Sequence, residues 1–256
     1  MGTGLKQKLK KGCCYGTMLS ELYVPNIMRI FAACGFDFVI IDCEHGYFDY
    51  TETAALLAVA RGTDMPAIIR ISKVDREFVL KYLDMGAGGF LLSNTDDAGM
   101  ISELVRHAKY PPMGRRGISL QRAHTDYNPG GITEYLKRAN EETVILAEIE
   151  SRRGVENVDE ILSLDGVDGA VIGPNDLALD MGLLGHNDHP DVVAAYERVI
   201  ASAQGHAKAA GLVSSSIDFH RRWRERGMSL FSWNSEIGML LNEGKRGIAA
   251  LKGADG

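Results

Sequence analysis

Charged and polar side chains stand at the ends of four apolar runs in this sequence, and their types suit proton transfer and metal binding. They are Asp42, Glu44 and His45 after the run 36–41, Arg70 within 67–71, Glu148 and Glu150 at the end of 144–149, and Asn175 and Asp176 after 167–172. A charged group at the end of an apolar strand needs a partner or a metal ion. Four such ends in one chain favour one shared site over four separate caps.

Two of these carboxylates form the best candidate for a metal pair. Glu150 and Asp176 follow neighbouring strands in the predicted order. Mg²⁺ and Mn²⁺ prefer oxygen ligands and complete an octahedron with waters and substrate atoms. The seven histidines are scattered and no H-E-x-x-H pattern occurs, which argues against zinc.

Proton transfer and anion binding are assigned to other residues. His45 is the natural proton-transfer group because an unperturbed imidazole titrates nearest neutral pH. Arg70 either clamps a carboxylate of the ligand or forms an ion pair with Asp42 or Glu44. Asp84 ends a predicted helix; it either orients His45 or is a surface residue, and the sequence alone favours the surface.

A helix start at Asn175 and Asp176 offers a third kind of contact. The segment that follows Gly173-Pro174 has the pattern of a new helix. Backbone N–H groups at such a start are free to bind the carboxylate of a substrate.

The elements that must position these residues alternate along the chain. Eight short apolar runs are predicted to be strands: 13–19, 36–41, 67–71, 89–92, 144–149, 167–172, 211–214 and 229–233. Segments with helical periodicity lie between them: 50–61, 75–85, 95–108, 154–162, 192–210, 217–226 and 236–251. Strands that are apolar on both faces belong to a parallel sheet, and eight strand–helix units predict a single (β/α)₈ barrel domain over residues 1–256. The segment 110–140 is predicted to be a long functional insert.

Composition narrows the partners. The chain has 256 residues, 24% of them charged, with a net charge of −6. It has no basic stripe for nucleic acid and no apolar run long enough for a membrane, so we expect neither partner. Its four cysteines, all in the first fifth of the chain, are expected to be buried reduced thiols, which fits a cytoplasmic location.

Several of these segments resemble the HpcH/HpaI aldolase family. Residues 36–46 match its D-x-x-x-x-D-x-E-H signature, residues 110–117 resemble its Y-P-P-x-G-x-R-G segment, and Glu150 with residues 166–177 match the rest of the pattern. The resemblance covers about residues 5–210, with several motifs in the same order and spacing.

The resemblance implies a metal-dependent (class II) pyruvate aldolase. Such an enzyme reversibly cleaves a 4-hydroxy-2-oxo acid to pyruvate, or a close 2-oxo acid, and an aldehyde in aromatic or sugar-acid catabolism. The family uses Mg²⁺ or Mn²⁺, with Co²⁺ as an alternative, and no organic cofactor. It implies a (β/α)₈ barrel with a short N-terminal helix and a C-terminal helix exchanged between subunits of a homo-oligomer, usually a hexamer.

The resemblance also assigns roles residue by residue. Glu150 and Asp176 would hold the metal ion, and Arg70 would bind the oxo acid and its enolate. His45, paired with Asp84, would serve the acid–base step. The backbone at Asn175 and Asp176 would hold the pyruvate carboxylate. Asp42, Glu44 and Glu148 would support these groups.

The sequence departs from the family pattern at three places. The loop 92–95 is short, and Glu148 stands where a neutral Gln or Met is more usual. Residues 232–235 are Ser-Trp-Asn-Ser, where the family more often has small residues with Gly and Asp. These changes surround the pocket, so we expect them to affect the choice of substrate more than the reaction.

Two other functions remain open. One is a related lyase that acts on a CoA thioester or decarboxylates a 2-oxo diacid; CoA would need a basic phosphate site, for which only the region 115–122 is a candidate. The other is a barrel that binds a 2-oxo acid without turnover, against which the combination of His45, Arg70, Glu150 and Asp176 argues. The strand ends carry no lysine, which argues against a Schiff-base aldolase.

Overall fold

The apolar runs form a closed barrel of eight parallel strands, in which each strand pairs with its sequence neighbours and β8 pairs with β1. The computed structural model describes residues 4–253. The strands are β1 (Cys14–Leu19), β2 (Phe38–Asp42), β3 (Ala67–Ile71), β4 (Gly89–Leu92), β5 (Val144–Ile149), β6 (Gly169–Ile172), β7 (Ala209–Ser214) and β8 (Leu230–Ser235). This is the predicted (β/α)₈ barrel.

Helices surround the barrel and extend beyond the predicted set. They are α1 (Leu5–Leu9), α2 (Ile27–Ala33), α3 (Tyr50–Ala60), α4 (Arg76–Met85), α5 (Ala98–Ala108), α6 (Ile132–Glu142), α7 (Arg152–Glu156), α8 (Val158–Ser163), α9 (Pro174–Asp180), α10 (Pro190–Gly205), α11 (Ile217–Glu225) and α12 (Glu236–Leu251). The predicted helix over 192–210 ends earlier, at Gly205, because β7 takes Ala209 and Ala210. The predicted insert 110–140 is not all loop, because α6 begins at Ile132.

Short polar side chains fix where several helices begin. The Asp75 carboxylate accepts hydrogen bonds from the N–H groups of Glu77 and Phe78 at the start of α4. Asp97 does the same for α5 through the N–H of Met100. These caps satisfy backbone donors that have no partner within the helix. They place the strand-to-helix loops at one rim, where the candidate site lies.

Two apolar layers share the strands. Side chains such as Ile69, Phe90 and Ile145 point outward and pack beneath the helices. The alternate side chains fill the barrel interior; they are Cys14, Phe38, Ile40, Ile68, Leu91, Val144, Leu146, Val171, Ala209 and Leu230, with Leu5 of α1 packed against them from below. The interior is therefore apolar up to the level of Asp42, Arg70 and Glu148, which come next on their strands.

The last helix differs from the others. Of the 16 residues of α12, only Glu236 is buried. Its leucines Leu240, Leu241 and Leu251 are exposed. Met239 near the start of α12 packs against the outer core, but most of the helix does not cover the barrel.

Two smaller features complete the fold. All four cysteines are free thiols, as expected, but only Cys14 is buried and Cys34 is exposed. In the part of the chain that the structure describes, no helix is both long enough and apolar enough to cross a membrane.

Candidate active site at the carboxyl ends of the strands

Arg70 is the centre of the site, inside the barrel mouth. It lies on β3 and is 6% exposed. Its Nε donates to Glu148 Oε2 at 2.7 Å, and its Nη2 donates to Glu150 Oε1 at 3.2 Å. Asp42 Oδ2 lies 3.5 Å from Nη1. Glu44 Oε2 lies 3.0 Å from Nη2, in the geometry of an ion pair and not of a hydrogen bond. Four carboxylates thus surround one guanidinium, and the alternative that paired Arg70 with Asp42 or Glu44 is realised.

Asp42 also shapes the turn that carries His45. Its Oδ1 accepts the N–H groups of Glu44 at 3.0 Å and of His45 at 3.2 Å. Glu44 is held from its other side, because Ser93 donates its Oγ–H to Glu44 Oε1 at 2.8 Å. The turn after β2 is therefore tied to the end of β4.

Glu150 sits in a close-fitting cradle. The N–H of Asn94 donates to Glu150 Oε2 at 2.9 Å. A Cβ at Gly173 would lie only 2.4 Å from Glu150 Oε1. Asn94 adopts a positive φ of 47°, which turns its N–H toward Glu150 in the short loop 92–95 and which Asn tolerates better than most residues. The loop that departs from the family pattern is thus a direct contact of the site.

Asp176 follows β6, the strand next to the one that Glu150 follows, and its charge contributes to a raised pKa of Glu150. Within residues 4–253, no group of three or more His, Cys, Asp or Glu side chains is gathered as a metal site. Glu150 and Asp176 both carry oxygen donors. That donor set fits a hard divalent cation, which keeps several waters and takes oxygens from its substrate, and does not fit zinc.

Burial and mutual repulsion set the protonation of the cluster. Burial is the largest cause that raises the pKa of Glu148, to about 8, against the opposing charge of Arg70. Burial also raises the pKa of Glu150, while the hydrogen bond from Asn94 lowers it. Burial alone would lower the pKa of Arg70, but the four surrounding carboxylates raise it overall. Arg70 stays charged, and the site carries excess negative charge that favours a cation.

His45 and Asp84 are not brought together within one chain. His45 is exposed at the mouth, and its imidazole has no hydrogen-bond partner among residues 4–253. Asp84 lies at the end of α4, where it accepts from Arg116 Nη2 at 3.1 Å and lies 3.5 Å from His124 Nε2. The helices run opposite to the strands, so the end of α4 is at the far rim of the barrel. Within one chain Asp84 is paired with Arg116, and its partnership with His45 stays a prediction.

The start of α9 lies beside Glu150, as the sequence predicted. Pro174 is its first residue, and the N–H of Leu177 is the first to bond within the chain, to Gly173 O at 3.1 Å. The N–H groups of Asn175 and Asp176 precede that bond in an exposed first turn. They are available to an anion at the mouth.

Four residues that shape the site were not predicted from the sequence. Ser93, Asn94 and Gly173 hold Glu44 and Glu150 in place, and Glu236 reaches the mouth from the far end of the chain. Of these, only Gly173 could have been recognised from the sequence. It lies between an apolar strand and a proline, and a glycine in such a position often marks the close approach of another group.

A model of the family described as "HpcH/HpaI aldolase/citrate lyase" matches residues 17–243 of this chain. The chain belongs to this family. The predicted resemblance is confirmed, and so is the predicted class of enzyme, a carbon–carbon lyase of the aldolase type.

Individual relatives agree over nearly the whole chain. A 5-keto-4-deoxy-D-glucarate aldolase of Klebsiella pneumoniae is 32% identical over 216 residues, which are 84% of either chain. A hydroxypyruvate/pyruvate aldolase of Roseovarius nubinhibens is 32% identical over 231 residues, 90% of either chain. The crystal structure of an HpcH/HpaI aldolase from Desulfitobacterium hafniense superimposes with a TM-score of 0.93 at 35% identity, covering 98% of this chain and 97% of that one.

Proposed function

We propose that this protein is a divalent-metal-dependent aldolase that cleaves a 4-hydroxy-2-oxo acid to pyruvate, or a close 2-oxo acid, and an aldehyde. The observation that carries the proposal is the arrangement of Arg70 and Glu150 at the barrel mouth, with Asp176 and the open start of α9 beside them. The names of the relatives, aldolases of a sugar acid and of hydroxypyruvate or pyruvate, support the same reaction class.

Glu150 and Asp176 are the residues that would hold the ion, with Mg²⁺ or Mn²⁺ the preferred candidates. A bound divalent cation supplies positive charge beside the oxygen that becomes an enolate when the carbon–carbon bond breaks. Arg70 provides a second, permanent positive charge at the same depth, and Glu148 and Glu150 orient its guanidinium. The N–H groups at Asn175 and Asp176 bind the substrate carboxylate.

His45 carries the proton steps in this proposal. A base removes the proton of the C4 hydroxyl, the C3–C4 bond breaks, and its electron pair forms the enolate. An acid then returns a proton to C3, which becomes the methyl group of pyruvate. The imidazole is exposed at the mouth, so it can exchange protons with substrate and solvent. Its backbone N–H is bound to Asp42, which fixes the turn that carries it. Asp84 takes no part within the same chain.

The direct test is the exchange of pyruvate methyl protons in D₂O, followed by proton NMR. We expect exchange with Mg²⁺ or Mn²⁺, loss of exchange with EDTA, and loss in the His45→Ala variant. This half-reaction needs no knowledge of the aldehyde. Absence of exchange with every divalent ion tried would reject the proposal and favour either the lyase that acts on a CoA thioester or the barrel that binds a 2-oxo acid without turnover.

We further propose that the protein is a homo-oligomer, with a hexamer as the expected size, in which α12 crosses to a second copy. The support is that α12 leaves an apolar groove of about 260 Å³ on its own barrel, lined by Tyr15, Phe36, Phe231 and Trp233 among others. The exposed leucines of α12 are of matching chemistry. A second copy would cover both surfaces.

A further inference from the structure

Glu236 links the last helix to the mouth of the barrel. It is the first residue of α12 and is 2% exposed. Its Oε1 accepts hydrogen bonds from three consecutive backbone N–H groups, those of Ser20 at 2.9 Å, Glu21 at 2.7 Å and Leu22 at 3.2 Å. These residues follow β1 directly, so one oxygen, more than 200 residues away in sequence, fixes the first mouth loop.

The helix itself does not need this carboxylate. Ser235 already caps α12 by accepting the N–H of Gly238 at 3.2 Å. The other oxygen of Glu236, Oε2, is buried without a hydrogen-bond partner among the residues that the structure describes, which costs free energy. An apolar side chain would avoid this cost, so the contact with the loop is the contribution that distinguishes Glu236.

The backbone is bent to make this contact. The pairing of β1 with β8 shifts register between Gly16 and Met18, and Asn234 adopts a positive φ of 59°. Thr17 donates its Oγ–H to Asn234 O at 3.3 Å across the shift. Bulges of this kind next to active sites re-aim side chains, and here the bend directs Glu236 toward the loop 20–22.

The loop 20–22 in turn braces the turn that carries His45. A Cβ at Gly46 would lie 2.7 Å from Ser20 O and 2.1 Å from Asp42 O, so the two loops touch backbone to backbone. Tyr47 OH also lies 3.5 Å from Glu21 Oε2. The turn that carries His45 is therefore held between Asp42 on one side and the loop fixed by Glu236 on the other.

We propose that Glu236 is a positioning residue for His45, acting through the loop 20–22. This inference rests on the proposed function for the effect on turnover, but the contact itself can be tested without it. Loss of the three hydrogen bonds frees the loop and lets the His45 turn move, while Arg70, Glu148 and Glu150 keep their own contacts.

The test compares Glu236→Ala, Glu236→Gln and the matched control Glu243→Ala in the pyruvate exchange assay. Glu243 is an exposed carboxylate of the same helix whose only side-chain contact in the described chain is with Arg246. We expect Glu236→Ala to lower kcat about 10- to 100-fold with KM for pyruvate within about twofold, since misplacing a catalytic group by about 1 Å has effects of this size. Glu236→Gln keeps one acceptor oxygen and should recover much of the loss; Glu243→Ala should match the wild type.

A double variant separates positioning from general damage. If Glu236 acts through His45, then adding Glu236→Ala to His45→Ala costs little more than His45→Ala alone. Full additivity of the two losses, or a rise in KM without a fall in kcat, would overturn the inference. If His45→Ala loses exchange and Glu236→Ala keeps the wild-type rate, the role of Glu236 is refuted and the proposed function stands.

Amide hydrogen exchange tests the contact even if the wild type shows no pyruvate exchange. We expect faster exchange in Glu236→Ala for peptides that cover residues 18–24 and 43–48, and no change for peptides that cover β5. Unchanged exchange at both mouth loops would reject the inference whatever the enzyme activity.

Discussion

Gly173→Ala adds one methyl group at the most crowded point of the site. The backbone of Gly173 has φ −92° and ψ 95°, which alanine adopts freely, so the effect is purely steric. The new Cβ would lie 2.4 Å from Glu150 Oε1, 2.7 Å from its Cγ and 3.0 Å from its Cδ. Because Cβ atoms are rarely closer than about 3.4 Å to such neighbours, the carboxylate must withdraw by roughly 1 Å.

The withdrawal has two measurable consequences. Glu150 would lose alignment with the N–H of Asn94 and with Arg70 Nη2, now at 2.9 and 3.2 Å. We expect kcat/KM for metal-dependent pyruvate exchange to fall about 100-fold, and Mn²⁺ affinity, measured by titration calorimetry, to fall about 10-fold. Overpacking of this kind should also lower the free energy of unfolding by about 1–3 kcal/mol.

Gly205→Ala is the matched control. Gly205 ends α10, and a Cβ there meets no atom within 4 Å. The variant should keep the wild-type exchange rate and metal affinity, and its free energy of unfolding should rise by a few tenths of a kcal/mol. If Gly173→Ala keeps its activity within about threefold and its Mn²⁺ affinity unchanged, then Glu150 does not hold the ion. Even a loss of only about 1 kcal/mol of binding free energy would lower the Mn²⁺ affinity about fivefold.

Three further predictions concern charge and assembly. Arg70→Lys should raise KM for pyruvate at least about 10-fold, because one ammonium cannot replace the fork that contacts Glu148 and Glu150 together; steady-state exchange measures it, and an unchanged KM would contradict the role of Arg70. Burial lowers the pKa of Lys109 from 10.5 to about 7, and its Nζ donates to the carbonyls of Asn140 and Thr143. The unfolded chain binds more protons than the native one between these values, so stability should rise by about 2 kcal/mol from pH 7 to pH 9, and this rise should vanish in Lys109→Met. Urea unfolding at both pH values tests this prediction, and an equal rise in the free energy of unfolding in the wild type and in Lys109→Met would refute it. The double substitution Leu240→Glu and Leu241→Glu should yield a monomer in light scattering; an unchanged mass would reject the exchange of α12.

The sequence predicted the barrel well because its signals are local and repeated. Each strand is a continuous apolar run, and runs such as 67–71, 89–92 and 144–149 agree with the structure to the residue. The boundary at 205–210 failed because alanines 207, 209 and 210 suit either a helix or a strand. α6 was missed because the prolines and glycines before Ile132 indicated a loop.

The site was predictable in its members but not in all of its contacts. Side chains that follow successive parallel strands must converge, which brought Arg70 and Glu150 together. Asp84 lies apart from His45 within one chain, because the resemblance gives a residue's role without giving the subunit or rim on which it stands. The contributions of Asn94 and Glu236 depend on a positive φ and a register shift, and neither leaves a pattern in the residue types alone.

The apolar floor of the barrel has a consequence for the order of events in turnover. Leu5, Cys14, Phe38 and Val144 close the interior below Arg70 and are at most 1% exposed, so the site opens only at the mouth. Whatever lies deepest must leave last. In the proposed reaction the oxo-acid half is bound at Arg70 and the aldehyde half lies nearer solvent. Release is then sequential, aldehyde before pyruvate, and pyruvate should inhibit competitively against the substrate while the aldehyde should not.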